Sequence, residues 1–222
     1  MPKTHPPLLL RDALAAVFVS AARDADPASL AAVDALARWT PSAALEPALA
    51  RLADEHGAPL FGADGALAEA FAPLEDYATD RARRFAAACS WLREGGGLGD
   101  AVEAARAAWD AGLFFEVHEI LEPVWLETSG VHKVALQGLI MAGAAMHHLT
   151  QSNHAGAAGL LREAAQRLRD SRAGWPPLAL GPFADALAKL GAAVARGDVQ
   201  SIADVQELPV LDRSTSTSAP AP

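Results

Sequence analysis

The chain reads as an all-α protein, a compact multihelical bundle with an N-terminal helical extension. Three observations lead there. Apolar residues fill 51% of the 222 positions, with alanine dominant, and Ala-rich stretches with few β-branched runs favour helix. The apolar residues recur at helical spacing along most of the chain. Helix starts and stops stand between those stretches: Asp or Thr before Pro, and Gly after an apolar face.

Near the N-terminus Leu10, Leu14, Val17, Phe18 and Ala21 share one helical face. Asp26-Pro27 and Thr40-Pro41 each read as an N-cap followed by proline at the first helical position. His56-Gly57 reads as a helix stop, and Asp64 as the cap of a helix that Pro73 interrupts. A further helix is expected from Leu74 to Glu94. Gly95-Gly96-Gly97-Leu98-Gly99 has no strand before it, and Asp100 stands where a dinucleotide fingerprint needs its last glycine. It reads as a flexible linker, dividing an N-terminal helical extension, 1–95, from a helical core domain, 96–208.

Four helices are expected in the core: Asp100–Ala111, Leu113–Leu126, Val131–Thr150 and His154–Asp170. Their connections are short, so neighbours should pack antiparallel. Thr128 or Ser129 is placed to cap the third, and Asn153 the fourth. Trp175-Pro176-Pro177 breaks the pattern. One more helix, Pro182–Arg196, is ended by Gly197, and Ser201–Leu211 is expected to dock back on the body. Residues 209–222, rich in Ser, Thr, Pro and Ala, are expected to form a disordered tail.

The formal net charge is −9, which argues against a nucleic-acid partner, since a phosphate surface needs a basic patch. Arg81, Arg83 and Arg84 cluster, but Asp76 and Asp80 sit beside them, and a solvated helix face is expected. No apolar run is long enough to span a bilayer, so no membrane partner is expected and a cytoplasmic location is. The single cysteine, Cys89, lies in an Ala-rich helical run and reads as a buried inert thiol.

The candidate site lies in Gly112–Trp125. Glu116, His118, Glu119 and Glu122 crowd together there among large apolar residues. On a helical wheel Leu113, Val117, Ile120, Leu121 and Val124 form the core stripe. His118 and Glu122 then make an i, i+4 pair at the edge of that stripe with Trp125 beside them, and Glu116 falls on the opposite flank. A carboxylate one turn away can orient the imidazole and favour its protonated form. Pro123 removes a backbone donor, and a kink is expected at Glu119–Pro123. His118-Glu119-x-x-Glu122 departs from the zinc motif H-E-x-x-H at its second histidine. A divalent metal would therefore need a ligand from the next helix, and His147 or His148 is placed to supply it. Gln137 and His148 lie roughly 16 Å apart along that helix and cannot hold the same ion.

Three blocks, Gly112-x-Phe-Phe-Glu116-x-His118-Glu119-x-Leu-Glu122-x-x-Trp125, Leu136-Gln137-Gly138-Leu-Ile140 and Asn153-x-x-Gly156-Ala157-x-x-Leu160-Leu161-x-x-Ala164, resemble the bacterial "domain of unknown function 309" family over Asp100–Leu168. The resemblance implies a compact all-helical domain and no established activity. It carries over Glu116, His118, Glu119, Glu122, Trp125, Gln137 and Gly138. Met141 departs from the family's usual polar residue.

Three functions stay open. The first is a helical domain whose Glu116, His118, Glu119, Glu122, Trp125 and Gln137 form a polar pocket that is structural or binds a small molecule. The second is a metal-dependent hydrolase, with His118, Glu122 and His147 or His148 as ligands and Glu119 as the base. The third is a protein-interaction scaffold, and a surplus of Leu and Ala on the N-terminal helices also leaves room for a homodimer face.

Overall fold

A computed structural model describes residues 6–41, 43–171 and 178–213. Among them are eight α-helices and no strand, only isolated bridges. Trp175-Pro176-Pro177 and the tail from residue 214 lie outside the described residues. Backbone contacts divide the chain into two units, 1–116 and 117–222.

In the first unit, α1 (Pro6–Arg23) buries Leu10, Leu14, Phe18 and Ala21 as the expected stripe. Val17 is only half-buried at its edge. Asp26 opens α2 (Pro27–Arg38) as expected, its carboxylate accepting the Ser29 N–H at 2.7 Å. α3 (Glu75–Gly95) stacks Phe85 on Phe18 of α1 at 4.9 Å between ring centroids. It also holds α2 through the Arg93–Asp34 pair, with both contacts at 3.0 Å.

Between α2 and α3 the helical expectation fails. No α-helix follows Pro41, and His56-Gly57 and Asp64 neither stop nor start one. The short polar side chains bond their own backbone instead, which competes with helix formation. Asp54 accepts from the N–H groups of His56 and Ala58, both at 2.9 Å, and Asp64 accepts from that of Ala66 at 3.1 Å. The segment packs its apolar residues all the same. Trp39 meets Phe61 edge-on and donates its indole N–H to the Gly65 carbonyl at 2.8 Å.

The glycine run turns the chain from α3 toward the next helix inside this unit, and of its glycines Gly97 is buried. Gly96 takes the left-handed conformation that ends α3 (φ 69°), which favours glycine. Gly97 lies so close to Leu92 and Glu103 that a Cβ would fall 2.9 Å from the Glu103 Cβ. Asp100 then caps α4 (Ala101–Asp110), accepting the Val102 N–H at 2.8 Å and the Glu103 N–H at 3.1 Å. Helices expected in the extension thus share a unit with the first helix expected in the core.

α5 (Phe114–Glu127) begins in the first unit and continues in the second. Pro123 lies inside it without ending it. The second unit continues with α6 (Gly130–Thr150), α7 (His154–Ser171) and α8 (Leu180–Arg196). Early α6 meets late α7: a Cβ on Gly138 would fall 2.7 Å from the Leu168 Cγ, so the helices touch where glycine permits. Late α7 meets early α8 through Arg169 and Asp185 at 2.8 Å. Both contacts are antiparallel, as the short connections imply.

Asn153 caps α7 as expected, accepting the Gly156 N–H at 3.1 Å. Ser129 stands at the N-cap of α6 but makes no side-chain capping bond, and Thr128 donates back to the Val124 carbonyl at 2.6 Å. Ser201–Leu211 docks, with Leu211 buried and Ala179 donating to the Asp212 carbonyl at 2.9 Å. The first residues of the expected tail are therefore held as far as Arg213, which bridges Leu178.

Candidate functional site: a buried ion pair and an open histidine on one helix

Glu116 is the deepest of the sequence-selected residues, with 0% exposure. Its Oε1 accepts from the Arg81 guanidinium of α3. Arg81 follows Ala78 by three residues and precedes Phe85 by four, so it projects from the apolar face of α3. Glu116 Oε2 and Arg81 Nε are also buried, and neither has a hydrogen-bond partner among the described residues. Burial pushes the Glu116 carboxyl above its ordinary range, and the Arg81 guanidinium pulls it back. The Tyr77 hydroxyl is raised too, chiefly by burial.

The expected solvated face at Arg81, Arg83 and Arg84 is therefore half wrong. Arg83 is exposed, but Arg81 is an internal counter-ion. Arg84 bonds Asp80 and donates to the Ala111 carbonyl at 2.9 Å, closing the α4–α5 corner at Gly112. The signal that separates them was present: only Arg81 lies in register with Ala78, Ala82 and Phe85.

On the second-unit part of α5, the imidazole of His118 donates through Nδ1 to Glu119 at 3.1 Å. The expected partner, Glu122, is exposed, and the ring's hydrogen-bonded carboxylate is Glu119. Glu119 holds the His118 pKa above its ordinary value, burial opposes it, and Glu122 adds only a weaker through-space pull in the same direction. The i, i+4 pairing is thus replaced by an adjacent one. Trp125 is half-buried, its Nε1 has no hydrogen-bond partner among the described residues, and Lys133 Nζ stands 4.4 Å over its ring.

Gln137 accepts from Arg167 Nη1 of α7 at 2.9 Å, and Arg167 also pairs with Glu163 at 2.7 Å. His148 Nδ1 lies 3.0 Å from Asn153 Nδ2, and His147 Nδ1 lies 3.5 Å from the Thr150 hydroxyl. Among the described residues no three His, Cys, Asp or Glu side chains are grouped so that they could hold a metal ion. Cys89 is buried, and its thiol is pushed up to about 11 by burial, so it is a poor nucleophile. No described helix is long and apolar enough to cross a membrane.

These features define an all-helical module whose polar motif residues mostly bond to one another or to neighbouring helices. Residues 102–160 are similar to the family model described as "Domain of unknown function (DUF309)", the family that the three motif blocks resemble. No curated protein and no solved structure matches the chain.

Proposed function

We propose that the chain is a non-catalytic helical module in which the motif residues act as docking ties between helices. The observation that supports this reading is that Glu116 pairs with Arg81 of α3 and Gln137 with Arg167 of α7, while His118 and His148 meet side chains close by in sequence. A general base or metal ligand needs a polar atom turned toward substrate. A structural network needs its polar atoms paired. The net charge of −9 supports a protein without a nucleic-acid partner.

The test compares untagged protein with Glu116→Ala, Gln137→Ala and His118→Ala variants by thermal unfolding and elemental analysis. The expected order of Tm loss is Glu116, then Gln137, then His118, with no stoichiometric metal in any sample. Stoichiometric zinc, iron or manganese that disappears in His118→Ala, at an unchanged Tm, overturns the proposal and restores the metal-hydrolase reading.

A further inference from the structure

In the first unit, three observations converge on the Arg81 guanidinium. It meets one oxygen of a fully buried carboxylate, Glu116. Its central carbon lies 5.7 Å from the Tyr77 ring centroid and 5.6 Å from that of Phe85. Both lie within the ~6 Å reach of a cation–π contact. The second carboxylate oxygen, Glu116 Oε2, is buried with no hydrogen-bond partner among the described residues. It is therefore available to a donor that can reach both oxygens.

A carboxylate able to accept two parallel N–H bonds, aromatic rings beside it and exclusion of water are the elements by which proteins bind planar guanidinium groups. An ammonium matches them less well, because it is compact, strongly hydrated and lacks the flat fork. The nearest other cation, Arg11, is engaged elsewhere. It lies 4.0 Å over the Phe115 ring and pairs with Asp12 at 2.7 Å.

We propose that Glu116, Tyr77 and Phe85 form a guanidinium receptor that Arg81 occupies in cis. The chain thus carries a site for an arginine-like cation and keeps it closed with its own side chain. The inference rests on the reading of Glu116 as a docking tie and adds the ligand class that the tie selects.

The test removes the plug and supplies its head group. An Arg81→Ala chain is unfolded thermally in methylguanidinium up to about 20 mM, far below denaturing concentrations. Methylammonium and sodium chloride at equal ionic strength are the controls. Methylguanidinium is expected to raise the Tm of Arg81→Ala by roughly 2–4 °C. It should leave the parent and the Arg81→Ala/Glu116→Gln chain unmoved. If Arg81→Ala does not fold in buffer, recovery of far-ultraviolet helix signal on adding methylguanidinium is the same result. No response, or an equal response to the controls, overturns the receptor. An Arg81→Ala chain that is destabilised but not rescued leaves the docking tie standing. One as stable as the parent removes both.

Discussion

Glu116 and His118 are near neighbours on α5, yet they sit in different physical regimes. Glu116 is sealed from water and its counter-ion comes from α3. His118 has a side chain 34% exposed and finds its carboxylate on the next residue, Glu119. The difference follows from helix geometry. Residues two apart point about 200° from each other, so one motif places one charge inward and another at the edge. Charge in a motif is therefore no guide to its weight. In the interior, loss of a partner leaves a desolvated charge; at the edge, water replaces the partner at little cost.

The largest expected effect tests the buried end of that contrast. Arg81→Met or Glu116→Leu alone should cost about 3–5 kcal/mol, because each strands a buried charge. The double variant replaces the pair with apolar side chains and should recover most of that loss, in keeping with other buried pairs exchanged for packed hydrophobes. Chemical denaturation of the four chains gives the cycle. If the single losses simply add in the double variant, the two side chains are not a pair and the comparison collapses.

The Gln137–Arg167 tie between α6 and α7 should rank between the two. It is a part-buried hydrogen bond of 2.9 Å. Gln137→Leu is expected to cost about 0.5–1.5 kcal/mol. A loss as large as that at Glu116 would mean burial is the wrong scale on which to order these ties.

The helices were more legible than their partners. Periodicity and caps located α3 through α8, since caps and stops such as Asn153 and Gly197 act locally and their signals are local. The segment after Trp39 misled because Asp54 and Asp64 serve turns as readily as caps. Glu116 was singled out in the sequence, but as a flank residue. Its depth depends on Arg81, thirty-five positions earlier, a separation that helical periodicity does not span. Arg167 escaped notice for the same reason, standing thirty positions from Gln137. His118 was paired with Glu122 because wheel geometry weighs the i, i+4 neighbour. The rotamers instead bring Glu119 round to the ring.

The smallest expected effect decides that last point. Glu119 holds the His118 pKa above its ordinary value of 6.5. A raised folded-state pKa means that the folded chain binds the proton more tightly than the unfolded chain. The added stability is fully present below the unfolded value and is lost as pH rises through the folded one. With His118 at the edge, the contribution should not exceed about 0.5 kcal/mol. Stability of the parent relative to His118→Gln should therefore decline slightly as pH rises above 6.5. Imidazole titration followed by NMR gives the sharper reading. Glu119→Gln should lower the His118 pKa more than Glu122→Gln does, because Glu119 acts through a hydrogen bond as well as charge and Glu122 through charge alone. The opposite order would return the histidine to Glu122 and put its working partner one helical turn away.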